Sequence, residues 1–256
     1  MQKITFTGSQ GFELAARLDL PNADIKAYAL FAHCFTCGKE LKPANKIAQA
    51  LNENGIAVLR FDFTGIGQSE GEFSNTNFSS NVQDLIAAAN YMRTYFQAPA
   101  LMIGHSLGGT ATLLAAKQVP EAKVVVTIGS PSNATNIEKQ FGAQLDAIEQ
   151  EGEAEVSLAG RTFKMKKQFL DDARNQNVLE TLGSLKKPLL ICHSATDDTV
   201  SIEHAAEIFM AAKHPKSFLS LDKADHLLFQ PGAAEYVATS LIAWASIYMP
   251  NSVSQK

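Results

Sequence analysis

The residues with the clearest chemical potential lie in the segment Gly104-His105-Ser106-Leu107-Gly108, between a short apolar run and an Ala-rich stretch of helical period. This is a Gly-x-Ser-x-Gly motif in a strand-turn-helix context. Such a turn needs small residues two positions before and after the serine, because larger side chains there would collide with the strand and the helix. The turn presents the serine hydroxyl at the carboxyl edge of a sheet. Ser106 is therefore the candidate nucleophile.

A serine hydroxyl becomes reactive when a histidine within hydrogen-bond reach accepts its proton. Of the six histidines, we predict His226 as the base. It lies late in the chain, after a predicted strand and before the last predicted helix, as the order serine, acid, histidine requires. The other histidines are expected to be structural, with His33, His105 and His193 packed near the site and His204 and His214 solvated at the surface.

The third member of such a triad is a carboxylate that fixes the tautomer of the imidazole and stabilises its cationic form. Two adjacent aspartates, Asp197 and Asp198, follow a predicted strand. We favour Asp197 as the acid. Asp198 is interpreted as a carboxylate at the N-terminal turn of the next helix, where negative charge is favourable. Asp222 and Asp225 are the remaining candidates.

A tetrahedral intermediate also needs backbone N–H donors for its oxyanion. Leu107 directly follows the nucleophile and is expected to supply one donor. By position, Phe35 in the loop after the third predicted strand is expected to supply the other. The same loop contains Cys34 and Cys37, spaced as Cys-x-x-Cys. Three interpretations of these cysteines therefore stay open: a redox-active dithiol, half of a zinc site, or part of a loop that shapes the acyl pocket.

The elements that must position these residues alternate along the chain. Short apolar runs of strand length alternate with longer amphipathic stretches of helical period, which predicts a mostly parallel sheet with helices on both faces. Two β-rich stretches at the start, Lys3 to Thr7 and Glu13 to Leu20, predict an antiparallel pair. The other predicted strands are 27–32, 57–61, 100–103, 124–128, 188–191 and 218–221, and the predicted helices are 43–54, 81–96, 107–119, 202–213 and 232–248.

The segment 131–184 interrupts this alternation and is too long for an ordinary connection. It contains a helical pattern at 136–150, a predicted hairpin at 155–163 with its tip at Gly160 and Arg161, and a helical pattern at 169–175. Because the segment lacks a core of its own, we predict a small cap inserted into one core domain formed by 1–130 and 185–256. The polar stretch 251–256 is expected to fray.

Composition restricts the class of protein. The chain has 256 residues, of which 46% are hydrophobic and 19% charged, with a net charge of −4. A chain of this length buries a core without disulfides or metal, and a mildly acidic balance without a basic stripe disfavours nucleic acid as a partner. No apolar run approaches the roughly 18 residues of a membrane helix. The absence of a signal-like start and the odd count of cysteines predict a cytoplasmic protein with reduced thiols.

These motifs together resemble the α/β-hydrolase superfamily, and the resemblance covers essentially the whole chain. It is carried by the Gly-His-Ser-Leu-Gly-Gly elbow, by His33-Cys34-Phe35 in place of the usual His-Gly-Phe, and by Arg60 to Ser69 as the Arg-x-Asp-x-x-Gly-x-Gly-x-Ser stretch. The segments 31–37, 78–82 and 214–218 resemble bacterial hydrolases that are sometimes fused to an OsmC-like peroxidase domain. The cap is similar in placement to the lid of cinnamoyl and feruloyl esterases.

The resemblance implies an α/β-hydrolase fold with a mostly parallel eight-stranded sheet. It implies a carboxylic ester hydrolase with the triad Ser106, Asp197 and His226 and an oxyanion hole formed by Phe35 and Leu107. Short acyl or arylalkyl esters are the expected substrates, and neither a metal nor an organic cofactor is expected. The same triad supports a peptidase, a thioesterase or a carbon–carbon hydrolase. A partner-binding module with a redox-active Cys-x-x-Cys, a homodimer and an OsmC-like partner also stay open.

Overall fold

The computed structural model describes residues 1–35, 37–158 and 160–249. The stretch 251–256, which is expected to fray, lies outside the described residues. The strands are β1 (Gln2–Thr7), β2 (Glu13–Asp19), β3 (Ala27–Ala32), β4 (Ile56–Phe61), β5 (Leu101–His105), β6 (Val124–Ile128), β7 (Glu153–Leu158), β8 (Arg161–Lys166), β9 (Leu189–His193) and β10 (Lys216–Ser220). The helices are α1 (Lys42–Glu53), α2 (Phe78–Tyr95), α3 (Leu107–Ala115), α4 (Gln144–Glu151), α5 (Lys167–Arg174), α6 (Val178–Ser184), α7 (Glu203–Ala211) and α8 (Ala233–Ala245). Within these ranges, no helix is both long enough and apolar enough to cross a membrane.

Eight strands form one sheet in the order β1-β2-β4-β3-β5-β6-β9-β10. The first two strands pair with each other in antiparallel fashion, and β2 is also antiparallel to β4. All other neighbours in this sheet are parallel. The predicted mostly parallel eight-stranded sheet and the predicted antiparallel pair at the start of the chain are therefore confirmed.

The sheet has an apolar layer on each face. Alternate residues of β3 belong to opposite layers: Tyr28 and Leu30 pack with α2 and α3, whereas Ala29 and Phe31 pack with α1 and α8. The strand reads as a continuous apolar run because both faces are buried. Full burial of a side chain such as Leu30 or Phe31 is worth about 1.5–3 kcal/mol relative to exposure. These layers hold the central strands rigidly.

The parallel strands bring their carboxyl ends to one edge of the sheet. The loops that follow β3, β5, β9 and β10 meet at this edge. These loops contain, in that order, Phe35, Ser106, Asp197 and His226. The topology therefore gathers residues that are up to 191 positions apart in the chain, from Phe35 to His226.

The segment 131–184 forms a 3-10 helix (Ala134–Gln140), α4, the hairpin β7–β8, α5 and α6. The expectation of one continuous helix at 136–150 is wrong. Gly142 lies between the 3-10 helix and α4 with φ of 55°, a left-handed conformation that ends a helical path. The predicted hairpin is present, with Leu158 opposite Arg161.

The apolar side chains of this segment are continuous with one layer of the core. Phe163 and Phe169 are buried in the layer that contains α2 and α3. Its last helix, α6, packs against α3 and α7. The division of the chain into a core domain and a cap at residues 131 and 184 stays a prediction.

Candidate active site

Ser106 lies at the sharp turn between β5 and α3, with φ of 54° and ψ of −132°. This left-handed conformation costs a non-glycine residue about 1–3 kcal/mol and persists only where the surroundings enforce it. Here the Ser106 N–H donates to the carbonyl of Ile128 at 2.8 Å, and the Ser106 carbonyl accepts from the Gly109 N–H at 2.8 Å. Two backbone hydrogen bonds thus fix the turn.

Three glycines allow this turn to pack tightly. A Cβ on Gly104 would collide with the Cα of Gly109, and a Cβ on Gly109 would collide with the Ser130 hydroxyl. A Cβ on Gly108 would collide with the carbonyl oxygen of His33. The last contact brings the loop after β3 directly beside the first turn of α3. The small residues that the motif requires therefore have two functions, to form the turn and to admit this loop.

The three predicted triad residues form one hydrogen-bonded series. His226 Nε2 lies 3.0 Å from Ser106 Oγ, and His226 Nδ1 lies 2.8 Å from Asp197 Oδ2. Because an ionised carboxylate only accepts hydrogen bonds, Nδ1 carries the hydrogen. Nε2 then presents its lone pair to the Ser106 hydroxyl. This is the arrangement in which an imidazole can take the serine proton.

Asp197, and not Asp198, contacts the imidazole. The other oxygen of Asp197, Oδ1, accepts the backbone N–H groups of Thr199 at 2.9 Å and Val200 at 2.8 Å. Burial opposes ionisation of Asp197, but the hydrogen bond and charge of His226 and these two N–H donors outweigh it, so the pKa of Asp197 is lowered. The side chain of Asp197 is 2% exposed, whereas Asp198 is exposed.

In the described parts of the chain, neither of the remaining carboxylate candidates contacts the His226 imidazole. Asp225 Oδ1 accepts the backbone N–H of Gln230 at 2.9 Å. The backbone carbonyl of Asp222 accepts the Ser194 hydroxyl at 2.8 Å. Both residues therefore shape the loop that contains His226 and the neighbouring strand end.

Both predicted oxyanion donors have unoccupied N–H groups. In the described parts of the chain, no acceptor contacts the backbone N–H of Leu107 or of Phe35. Leu107 is the first residue of α3, where a helix leaves its N–H groups unpaired and has partial positive charge. The contact between the His33 carbonyl and Gly108 brings the loop that contains Phe35 close to the N-terminus of α3. An oxyanion role for the two N–H groups stays a prediction.

Two further buried histidines support the site. His105 Nε2 donates to the carbonyl of His226 at 2.7 Å. Burial, together with the charge of His226, lowers the pKa of His105 to about 3, so this ring is neutral and holds the backbone of the base. His193 Nε2 donates to the carbonyl of Val200 at 2.8 Å, and burial lowers its pKa as well. The expectation that these residues pack beside the site agrees with these contacts.

The surface position expected for His204 is wrong. This residue is 8% exposed, its Nδ1 lies 2.8 Å from the Ser132 hydroxyl and its Nε2 lies 3.0 Å from Asn136 Oδ1. The first residues of the 131–184 segment cover this face of α7, which a local pattern does not reveal. His214 is exposed, as expected.

A buried polar network supports the loop after β3. Asp62 accepts the Lys39 N–H at 2.7 Å, the Lys39 ammonium at 2.6 Å and the Gln68 N–H at 3.0 Å. Arg60 donates to Asp19 at 3.0 Å and also to the Lys39 carbonyl. Sequence reasoning did not assign roles to these residues. The available signal was the Arg-x-Asp-x-x-Gly-x-Gly-x-Ser stretch, which contains Arg60 and Asp62.

The structure joins Cys34 and Cys37 in a disulfide, with their Cα atoms 5.2 Å apart. The expectation of reduced thiols is therefore wrong for this pair in the structure, because the Cys-x-x-Cys spacing brings the Cα atoms within the 4.4–6.8 Å range of disulfides. Cys192 is free and buried, and burial raises the pKa of its thiol. Over the described ranges, no three His, Cys, Asp or Glu side chains are grouped to hold a metal ion.

A small apolar cavity lies beside the two N–H donors. Its lining includes Phe35, Phe63, Ile66, Phe73 and Leu107, and its volume of about 10 Å³ holds about one water molecule. Aromatic side chains of the 131–184 segment pack on two of its lining residues. Phe169 packs on Phe35 and Phe163 packs on Phe73, each with ring centroids 5.1 Å apart.

The chain is similar to known hydrolases in sequence and in structure. A family model described as "Serine aminopeptidase, S33" matches residues 26–150. The esterase domain of a Rhodothermus marinus protein is 47% identical with a TM-score of 0.80, over 96% of this chain and 98% of that one. Est1E from Butyrivibrio proteoclasticus with bound ferulic acid is 22% identical with a TM-score of 0.83, over 96% and 99% of the two chains, which shows the shared fold.

Among curated relatives, the mitochondrial palmitoyl-protein thioesterase ABHD10 of Mus musculus is 24% identical over 165 residues. The match covers 60% of this chain and 53% of that protein, so it spans about half the length of the relative. The similarity to the Rhodothermus marinus domain, by contrast, extends over nearly the full length of both chains. Together with the order of the sheet and the geometry of the serine turn, it establishes that the chain belongs to the α/β-hydrolase superfamily.

Proposed function

We propose that the chain is a serine hydrolase that cleaves carboxylic esters with short acyl or arylalkyl groups. The observation that carries this proposal is the hydrogen-bonded series in which His226 lies 3.0 Å from Ser106 Oγ and 2.8 Å from Asp197. The series lies beside two unoccupied backbone N–H groups. The 47% identity to an esterase domain supports ester chemistry in particular.

In the first half-reaction, Ser106 Oγ attacks the ester carbonyl carbon while His226 Nε2 takes the hydroxyl proton. Asp197 stabilises the resulting imidazolium and keeps the ring oriented. The N–H groups of Phe35 and Leu107 donate to the oxyanion. The intermediate then collapses, the bond to the alcohol oxygen breaks, and the imidazolium gives its proton to the departing alcohol. An acyl ester on Ser106 is left.

In the second half-reaction, water takes the place of the alcohol. His226 removes a proton from the water as it attacks the acyl carbon, and the same two N–H groups hold the second oxyanion. When this intermediate collapses, Ser106 Oγ regains a proton from the imidazolium and the carboxylic acid leaves. The triad returns to its starting state, with one water consumed.

The proposed substrate class rests on the apolar character of the cavity walls and not on the cavity volume. These walls are mainly apolar and aromatic, which suits an aliphatic or aryl acyl group. The cavity volume of about 10 Å³ is that of about one water molecule, so an acyl group enters only if lining side chains such as Phe35 and Phe73, on which Phe169 and Phe163 pack, move. The binding of ferulic acid by Est1E supports an arylalkyl acid as one occupant.

Thioesterase, glyceride lipase and peptidase activities are the competing assignments. The first two are suggested by the names of ABHD10 and of the monoglyceride lipase of Rattus norvegicus, which is 32% identical over 114 residues and 37% of its length. A peptidase is suggested by the description of the family model. The triad serves all of these reactions, so only substrate measurements distinguish them. A carbon–carbon hydrolase stays an alternative on the same ground.

The test is hydrolysis of matched substrates by the wild type and by Ser106→Ala. The panel contains p-nitrophenyl esters from acetate to palmitate, aryl esters of hydroxycinnamic acids, the thioesters of the same acids and aminoacyl anilides. We expect the highest kcat/KM for short acyl or arylalkyl oxygen esters, a steep decline with chain length, and loss of nearly all turnover in the variant. Preference for palmitoyl thioesters or for anilides would contradict the proposal.

A cytoplasmic location, a homodimer and an OsmC-like partner belong to the same proposal. None of them enters the mechanism above. Sedimentation velocity of the purified chain distinguishes a monomer from a dimer.

A further inference from the structure

The disulfide lies within the loop that provides one proposed oxyanion donor. Cys34 and Cys37 flank Phe35 in sequence, so the covalent ring formed by the disulfide and the main chain includes the Phe35 peptide. The Cys37 N–H also donates to the Cys34 carbonyl at 3.0 Å. The direction of the Phe35 N–H depends on backbone dihedrals that this ring restricts.

On both sides of the ring the chain is fixed by other contacts. Before it, the His33 carbonyl packs on Gly108, and His33 Nδ1 donates to the Cys34 carbonyl at 2.7 Å. After it, the buried Lys39 binds Asp62 through both its backbone N–H and its ammonium. These anchors do not depend on the disulfide. Its loss therefore frees the short segment between them and leaves the rest of the site in place.

We propose that Cys34 and Cys37 form a thiol–disulfide exchange site, and that the oxidised form is the catalytically competent one. The inference rests on the proposed function, because it acts through the oxyanion donor of Phe35. In the oxidised form, the disulfide ring restricts the backbone of the loop and so fixes the direction of the Phe35 N–H. Reduced, the segment gains backbone freedom, and part of the preorganisation of the donor is lost.

The two sulfurs differ in accessibility. Cys34 is 4% exposed, whereas Cys37 is partly exposed. An incoming thiolate of a small dithiol or of a dithiol protein therefore attacks Cys37 Sγ, and the Cys34 sulfur leaves as a thiolate. The second thiol of the reductant then attacks its own sulfur in the mixed disulfide and releases Cys37. The protein gains two electrons and two protons, and the dithiol becomes a disulfide.

The expected effect is on kcat. Complete removal of one oxyanion donor costs roughly 10²–10³ in kcat. Loosening the loop leaves the donor present but poorly directed, so we expect a loss of about tenfold or more in the reduced form, with KM changed much less. If the disulfide were merely structural, its reduction would lower the stability of the protein and leave the kcat of the folded fraction unchanged.

The experiment measures thiols and turnover on the same samples. The protein is prepared oxidised with glutathione disulfide and reduced with dithiothreitol, and thiols are counted in denaturant. The count should rise from one, the free Cys192, to all three cysteines. Turnover of p-nitrophenyl acetate should fall on reduction and return on reoxidation. An alkylating agent should leave the oxidised enzyme active and should lock the reduced enzyme at low turnover.

Variants distinguish the effect of reducing the Cys34–Cys37 disulfide from other effects of the reductant on the enzyme. The double variant Cys34→Ser, Cys37→Ser should have the kcat of the reduced wild type under both conditions, and Cys192→Ala should keep the full redox response. The inference is overturned if turnover is equal at one and three thiols, or if the oxidised sample still contains three. Lack of hydrolysis in both redox states would overturn the proposed function and, with it, the proposed effect of the disulfide on turnover. The thiol count separately decides whether thiol–disulfide exchange occurs at Cys34 and Cys37.

Discussion

His226 is held at its ring by two contacts and at its backbone by a third. Asp197 accepts from Nδ1, Ser106 contacts Nε2, and the His105 ring donates to the backbone carbonyl of His226. Asp197 is further fixed by the N–H groups of Thr199 and Val200, and Ser106 by its backbone hydrogen bonds to Ile128 and Gly109. The His226 ring is therefore held in one orientation, which the proposed role of a general base requires.

The adjacent aspartates offer a matched comparison. Asp197→Asn should lower kcat about 10³–10⁴-fold, because an amide N–H facing Nδ1 favours the tautomer in which Nε2 cannot accept the serine proton. Asp198→Asn should change kcat less than about twofold, since an exposed carboxylate without contact to the imidazole contributes little. Steady-state hydrolysis of p-nitrophenyl acetate measures both. Equal losses in the two variants would contradict the assignment of Asp197.

The neutral, buried His105 predicts an acid-sensitive stability. Its pKa falls from 6.5 to about 3 on folding, so below pH 6.5 the unfolded chain binds a proton that the folded protein does not. Stability must then decrease as pH falls from about 6.5 towards 3. Between pH 7.5 and pH 5.0 this residue should account for a loss of about 2 kcal/mol in the free energy of unfolding.

His105→Gln isolates that contribution in urea unfolding curves at the two pH values. The variant should be less stable than the wild type at pH 7.5, because Gln does not reproduce the hydrogen bond to the His226 carbonyl as well. Its decrease in stability between the two pH values should be smaller by about 2 kcal/mol. An identical decrease in both proteins would show that His105 does not titrate differently in the folded and unfolded states.

Residue type, together with the serine, acid, histidine order of the α/β-hydrolase fold, was enough to select Ser106, Asp197 and His226, which the structure brings into one hydrogen-bonded series. Type and order were not enough for partners that are distant in sequence. Lys39 reads as a surface lysine until the fold brings it to Asp62. His204 likewise reads as a surface residue until the start of the 131–184 segment covers it.

Among the contacts between elements, the one between α3 and the loop after β3 positions the two proposed N–H donors relative to each other. Gly108 lies in the first turn of α3, against the His33 carbonyl. A side chain there would push the loop away from the helix N-terminus. The two proposed N–H donors belong to these two elements, so this contact is one of those that fix their separation.

A pair of helical glycines tests this dependence. Gly108→Ala should lower kcat about tenfold or more, because its Cβ displaces the loop that contains Phe35. Gly183→Ala in α6, where a Cβ meets no atom within 4 Å, should leave kcat unchanged and raise stability by about 0.5–1 kcal/mol. Kinetics and chemical denaturation measure the two effects. Unchanged kcat in Gly108→Ala would show that the loop position does not matter.

The elements of the core were predictable because each has a clear period and recognisable ends. The 131–184 segment was less so. Its hairpin was apparent from the turn residues, but the division of one expected helix into a 3-10 helix and α4 follows from the positive φ of Gly142. An isolated glycine in a helical pattern does not reveal whether it will break the helix.

For the whole molecule, the alternation of strand and helix specified the parallel sheet and its two apolar layers. Parallel strands then place their carboxyl ends together, which is why residues from distant parts of the chain share one site. The sequence could not supply the size of the cavity. That depends on how Phe163 and Phe169 pack on Phe73 and Phe35, which line the cavity.

We propose that this fold activates Ser106 as a nucleophile. Labelling with a fluorophosphonate, which reacts covalently with an activated serine, tests it without any assumption about substrate. Mass spectrometry of the digested protein should locate the adduct on Ser106, near one label per chain, and the folded Ser106→Ala variant should remain unlabelled. A folded wild-type protein that takes up no label, or that is labelled equally in the variant, would contradict the account.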